Sequence, residues 1–550
     1  MNREQSIHKR EDAMTTFLKH QDKTVVGEKN NQAIIMLAGI SSVVKNIKST
    51  NVKVSGNVSA GKSYMANSVI DLIPGSNASS LANMTPKALQ YSEGFLETTM
   101  VDDLGAKQTV QIFNGANGEY QFIKECECEI YKKRTCGHEE IPTTVDDEMK
   151  RSMKYVVDLT GKVFLFTDKA NVETLMALKP IMSSDNEEIE IQTAQNSGKE
   201  TKTKKIVLRG HPAFIMCDAK GYSEDISEIE SRCVQISVEE SAKKLKKVQK
   251  MTTDNLIFDV GSTKEDDDLI KEQLAHVFET ATKDIRVRVP LARQLQKHLP
   301  ATQPTDNRTY KDYVNLLKLH AVFNASTRPV VEITKDGKVS YLVFTTKNDY
   351  KFLSQTLETH AGQQRTGLNK SAFLLWKNIL IQPKHEVLSS DSKVNQQKLN
   401  GKVKKQVATD ESSTYDWWTM REITEAFNKH ISKDSMKSNR AIQAHEMKQL
   451  KNQGFVEVRN GNPNDGFDDK QTKYYRAIAD SKDLVQVDDN FDDVTEKIRS
   501  EFFEELEKRE PIGIGITPIG YTVKYLDGID GTVINKDEFQ AMLLNGDTHD

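Results

Sequence analysis

Cysteine is scarce: five residues in a chain of 550. That is too few for a disulfide framework, and it points to a reducing compartment. Long apolar runs are missing as well. The longest near the N-terminus, "AIIMLAGI" from Ala33 to Ile40, falls far short of the ~20 residues that span a bilayer. Met1 to Arg10 is polar, so neither a secretion signal nor an anchor is expected there, and the cytoplasm is the default location. Nor is there an excess of one charge: 80 acidic residues face 76 basic ones, so any contact with nucleic acid must come from local patches. Charged residues at 28% against 7% aromatics describe a soluble, well hydrated chain. Its length predicts about three or four domains.

What is present begins with "VKVSGNVSAGKSYMANSVI", Val52 to Ile70. Gly56, Gly61, Lys62 and Ser63 fill the fixed places of G-x-x-x-x-G-K-[ST]. Glycines let the backbone curl so that several N–H groups point at phosphate oxygens. A strand, "NVKVS", precedes the loop, and a helix carrying Met65, Val69 and Leu72 on one face follows it, so phosphate would meet a helix N-terminus. Lys62 is expected to bridge the β- and γ-phosphates, and the Ser63 hydroxyl to hold Mg²⁺. The candidate ATP contacts are therefore Gly56, Asn57, Val58, Ser59, Ala60, Gly61, Lys62, Ser63 and Tyr64.

Such an ATPase also needs an acid at a strand end to hold Mg²⁺ and polarise the attacking water. Two places offer one. "LETTMVDDLG" ends in Asp102 and Asp103, whereas "KVFLFTDK" ends a four-residue apolar run, Val163 to Phe166, at Asp168. Asp168 is preferred, because an amphipathic helix, a hairpin and a second strand follow it; Asp103 is the alternative. In the hairpin, Ile189 and Ile191 alternate with polar residues, as do Ile206 and Leu208, around a glycine-containing turn. Lys199, Lys202, Lys204 and Lys205 make its tip and return strand basic, a pattern suited to a phosphate backbone or to a soluble edge hairpin. The strand "AFIMC" then ends at Asp218, and "SEIESRCVQISV" contains Arg232.

This order resembles AAA+ ATPases of the pre-sensor-1 hairpin clade, which holds the minichromosome maintenance and viral superfamily-three helicases. "ESRCVQISVEES" is similar to their arginine-finger segment, and "NRTYKDYVNLLKLHAVFNASTRPVV" to their lid helix. "TPKALQYSEGFLETTMVDDLG" and "RVRVPLARQLQKHLP" look like segments of phage- and plasmid-borne primase–helicases, although no primase domain is evident here. The likeness covers about residues 31 to 330. It implies an α/β/α three-layer P-loop core with a helical lid, assembled as a homo-oligomeric ring, a hexamer in preference to other sizes. It further implies that Arg232 reaches the γ-phosphate of the next copy, that Arg308 serves as the sensor-2 arginine, and that Asp218 stands at the sensor-1 position, where asparagine or threonine is usual. The hairpin would grip DNA in a central channel.

Three cysteines and a histidine cluster in "KECECEIYKKRTCGHEE": Cys126, Cys128, Cys136 and His138. They could close a tetrahedral zinc site, or belong to a reduced, metal-free β-insert at about 105–150 within a core spanning 31–260. Cys217 and Cys233 sit in apolar strands and are expected in the core. A lid and accessory region is expected over 261–384, a polar linker over 385–413, and a winged helix-turn-helix over 414–478. In that last unit Thr419 caps the first helix, and Lys433, Lys437, Arg440 and Lys448 would face DNA, with Lys470 and Lys473 on the wing; a winged helix used for protein contacts is the other reading. The first thirty residues and the acidic tail, 479–550, carry no motif with a chemistry, although short strands are expected near the end. The function expected is an ATP-driven DNA helicase or replication initiator of a mobile element or virus. The rival is an ATP-switched DNA-binding regulator, and a third option is an ATPase that remodels a protein partner.

Overall fold

The computed structural model describes residues 12–56, 59–75, 77–81, 94–101, 107–114, 120–123, 153–168, 172–183, 188–197, 200–219, 229, 232–239, 242–258, 262–298, 304–353, 370–389, 415–431, 436–452, 455–460, 472–478 and 521–545. Asn57, Val58, Asp102, Asp103, Lys199, Lys433 and Lys470 lie outside them, as do Cys126, Cys128, Cys136 and His138.

The central sheet is parallel, in the order Cys233–Ser237, Asn51–Gly56, Ala213–Ala219, Val163–Phe166, Ala78–Leu81. Two of its strands, Ala213–Ala219 and Val163–Phe166, are buried on both faces, as strands of a parallel sheet covered on both sides require. On one face Val52, Val54, Leu165, Ile215 and Cys217 meet the helices Lys29–Ser41 and Lys62–Ile70. The short run "AIIMLAGI" is the reason the first of these helices is buried all round. On the other face Phe164, Phe166, Phe214 and Met216 meet the helix Val172–Met182 through Leu175, Leu178 and Ile181. Phe164 and Phe214 stack with ring centroids 5.6 Å apart. The result is an α/β P-loop fold with three layers. Cys217 and Cys233 are both buried, as their apolar strands predicted.

A second, six-stranded sheet runs Tyr120–Ile123, Lys107–Asn114, Phe95–Val101, Lys154–Asp158, Glu200–Arg209, Glu188–Ser197. The basic hairpin is therefore its edge, and the segment following the P-loop helix supplies the rest. Phe95–Val101, the strand that leads to Asp102 and Asp103, pairs only within this second sheet among the described residues.

A third sheet joins Ile285–Arg288, Lys338–Phe344 and Val330–Lys335 to Tyr521–Leu526 and Val533–Ile534. Part of the C-terminal segment thus returns to the body: Phe539 and Leu543 of the helix Lys536–Asn545 cover Val331, Ile333, Leu342 and Phe344. A separate apolar cluster packs Phe373, Trp376, Ile379 and Val387 against Trp418, Ile423, Phe427, Leu450 and Tyr475. The linker boundary expected at 384/385 runs through this cluster, because the polar stretch after 389 hides the kinship of its two halves. Within it, the strand Trp418–Thr419 leads into the helices Met420–His430 and Asn439–Ile442, and the later strands Val456–Asn460 and Lys473–Ala477 join it in a small antiparallel sheet ordered Trp418–Thr419, Lys473–Ala477, Val456–Asn460. Thr419 and Glu422 form a capping box at the first helix.

Candidate nucleotide site

The loop after Asn51–Gly56 reaches the helix Lys62–Ile70 through two left-handed residues, Ser59 at φ 64° and Gly61 at φ 86°. At Gly61 there is open space for a Cβ, so the backbone angle and not crowding calls for glycine. Gly61 is also the N-cap of the helix, with no side chain over the first N–H groups. Those donors point into the loop and suit an anion. Lys62 Nζ donates to the Gly56 carbonyl at 3.2 Å, across the mouth of the loop. Ser63 Oγ donates to the Thr167 carbonyl at 2.9 Å. The Tyr64 hydroxyl reaches away, to the Thr24 carbonyl at 3.1 Å.

The Ser63–Thr167 bond brings the end of the strand Val163–Phe166 to the loop, and with it Asp168, which is exposed. Between this strand and the P-loop strand lies Ala213–Ala219, in the register Ser55↔Asp218. Asp218 is 9% exposed and accepts a salt bridge from Lys53 at 3.5 Å, while its Oδ1 finds no hydrogen-bond donor among the described residues. Lys53, on the P-loop strand itself, is a site residue that sequence reasoning missed. The signal was available: a single lysine amid the apolar residues of "NVKVS". Burial pushes the neighbouring Cys217 thiol up to about 11, while hydrogen bonding to Ser63 and the charge of Lys62 work in the opposite direction and Asp168 adds to the rise. Lys62, Ser63, Asp168, Cys217 and Asp218 thus gather at the carboxyl end of the sheet. Positive-φ residues, exposed helix N–H groups, a lysine and a hydroxyl beside carboxylates form a donor set that fits a nucleotide triphosphate with Mg²⁺.

Arg232 lies at the other end. The register Asn51↔Cys233 sets it at the amino end of the P-loop strand. The loop begins after Gly56, five residues on, which is about 16 Å of strand and more than an arginine side chain spans. Arg308 is exposed near the start of the helix Pro304–Phe323.

The hairpin is anchored at its base. Arg209 donates to both oxygens of buried Glu97, at 2.8 and 2.7 Å, and from Nε to Glu188 at 2.7 Å; Lys154 reaches Glu188 at 3.1 Å. Burial acts to raise the Glu188 carboxyl, but the bonds from Arg209 and Lys154 outweigh it and hold the group below its ordinary value. Lys154–Asp158 pairs with the hairpin only over Ile206–Arg209. The six register pairs from Gln192↔Lys205 to Ser197↔Glu200 run on past it, about 20 Å of projecting ribbon. Lys202, Lys204 and Lys205 stand in that portion, and Lys205 is 4.0 Å from Glu190.

In the C-terminal cluster Arg440, Lys448 and Lys473 are exposed. Lys437 is engaged otherwise: Nζ lies 2.6 Å from buried Glu446 and over the Phe427 ring. A lysine facing DNA and a lysine satisfying a buried carboxylate look alike in a sequence.

Residues 2–113 match the family model described as "MTBMA_p00010 P-loop domain". The chain carries a P-loop domain. Nucleotide and Mg²⁺ binding follow from it. No curated protein matches the chain. Among solved structures, one described as "SCCmec type IV Cch - active helicase" is similar at 11% identity, covering 81% of this chain and 67% of that one, with a TM-score of 0.26. A likeness that slight carries no weight for fold or activity. Among the described residues no group of three or more His, Cys, Asp or Glu side chains could hold a metal ion, and no helix is long and apolar enough to cross a membrane.

Proposed function

We propose that the protein is an ATP-dependent motor on DNA, a helicase or replication-initiation ATPase of a mobile element or virus. The observation that carries this reading is the position of the basic hairpin. It is inserted between two strands, Val163–Phe166 and Ala213–Ala219, whose carboxyl ends, with Asp168 and Asp218, border the phosphate loop. A change at the γ-phosphate can therefore be transmitted along two rigid strands to one projecting ribbon.

In this reading the loop N–H groups and Lys62 orient the triphosphate, while Ser63 and Asp168 would hold Mg²⁺, which neutralises phosphate charge when bound. Asp168 also orients the attacking water, and Asp218, held by Lys53, borders the γ-phosphate. Asp103, outside the described residues, is the weaker candidate, since the strand before it, Phe95–Val101, belongs to the other sheet. Because Arg232 cannot reach its own loop, it serves a neighbouring copy, and hydrolysis then depends on assembly into a ring, a hexamer by preference. Arg308, on the lid helix, completes the site as the sensor-2 arginine. Helix, helix and hairpin in the C-terminal cluster make a winged helix, with Arg440, Lys448 and Lys473 towards DNA. This combination is that of the minichromosome maintenance and viral superfamily-three clade.

A second reading is favoured by one observation: Lys169, not an acid, follows Asp168. It is an ATP-switched DNA-binding regulator without unwinding. Displacement of a labelled strand with and without ATP separates the two. Replacing Lys202, Lys204 and Lys205 by alanine should bring DNA-stimulated turnover down to the DNA-free rate and leave ATP binding intact. Stimulation equal to the wild type would reject the gripping role of the hairpin.

A further inference from the structure

The helix Ala242–Phe258 begins ten residues after Arg232 and stands apart from the body. Among its described side chains none is buried and none joins an apolar cluster. Its amino end is tied down by Lys244 pairing with Glu28. Most helical stability in proteins comes from packing of an amphipathic face, and "TTDN" in the second half of this helix adds poor helix formers. Yet Leu245, Val248, Thr252 and Leu256 recur at helical spacing on one exposed stripe, with Leu256 83% exposed and Phe258 70%. Exposed Lys246 and Lys250, four residues apart, flank that stripe.

A surface with the opposite charge lies on the next helix, Lys264–Ala281. Leu269 is 58% exposed there, between exposed Asp268 and Glu272. Asp266 and Asp267 are already engaged by Lys23 and His20 on the body side. An apolar stripe flanked by lysines and an apolar knob flanked by acids are complementary in both respects.

We propose that Ala242–Phe258 is an arm that docks on the Lys264–Ala281 helix of a second copy. Leu245 and Val248 cover Leu269, and Lys246 and Lys250 pair with Asp268 and Glu272. The choice of a second copy as occupant rests on the copy-to-copy reading of Arg232; the test, however, reads mass and not turnover.

The test uses full-length protein and light scattering after size exclusion. Lys246→Glu/Lys250→Glu in one preparation and Asp268→Lys/Glu272→Lys in another should each fall from the wild-type assembly to a smaller species, with the unfolding temperature retained. Mixed, they should regain the wild-type mass, because each altered surface meets its complement on the other chain. Wild-type mass in either variant alone overturns the proposal. So does a mixture that stays small, or a wild type that is itself monomeric with ATP present. Loss of DNA binding at unchanged mass overturns it in favour of a nucleic-acid contact by the arm. If the mixture regains mass while strand displacement is absent in every preparation, the arm stands and the motor reading falls.

Discussion

Lys62→Ala is expected to lower nucleotide turnover by about 10²–10³-fold, the loss typical when one preorganised donor to a developing oxyanion is removed. Lys62 is half-buried at the first position of its helix, and its Nζ already lies across the mouth of the loop, 3.2 Å from the Gly56 carbonyl. It therefore reaches the phosphates with little reorganisation. Lys62 is only partly buried, so apo stability should change by no more than ~0.5 kcal/mol. Turnover and thermal melting thus separate a catalytic defect from a folding one. Turnover within a few-fold of the wild type would show that the loop does not cradle the reacting phosphate.

The second large effect lies far from the loop. Asp349 is fully buried and accepts from Arg328 Nη1 at 2.7 Å and from the Thr346 N–H at 2.6 Å, and it pairs with His320. Arg328 also reaches Asp12, the N-cap of the helix Ala13–Gln21, at 3.3 Å, so the network ties the first helix to the third sheet. Burial acts to raise the Asp349 carboxyl, but the charge of Arg328 and the bond from His320 outweigh it and hold the group well below the carboxylate range. Arg328→Ala leaves that carboxylate buried without its main partner, at a cost of ~3–5 kcal/mol. At about 2–4 °C per kcal/mol for a unit of this size, the midpoint should drop by roughly 6–20 °C. The sign of the pH dependence follows from the depressed value. The stabilisation is complete above the unfolded pKa of ~3.9 and is lost as pH falls through that value towards the folded one. Melting at pH 5 and pH 3 should show a steep loss in the wild type and a shallower one in Arg328→Ala. Equal slopes would contradict the network's role.

The P-loop and its two flanking elements were legible because their chemistry fixes the spacing within a dozen residues. The parallel core strands were legible from runs such as "VFLF" and "AFIMC". What was hidden depends on register between distant segments. Nothing local says that Phe95–Val101 pairs with Lys154–Asp158, or that Tyr521–Leu526 closes a sheet with Val330–Lys335. The hairpin was visible from alternation, but its clamp, Glu97 on Arg209, spans 112 residues. Asp12, Arg328 and Asp349 are ordinary charged residues until folding buries two of them together. Lys437 and Lys448 carry the same charge in one short segment; only packing gives the first to Glu446 and leaves the second exposed.

The seam between copies is the centre of the account, and mixing inactive subunits tests it most directly. Lys62→Ala alters the loop but keeps Arg232; Arg232→Ala removes the proposed finger but keeps the loop. Each is expected to turn over ATP at background, and an equimolar mixture should recover a substantial part of wild-type turnover at the seams where an intact loop meets an intact arginine. A mixture as inactive as its parents, or an Arg232→Ala protein as active as the wild type, would contradict a site shared between two copies.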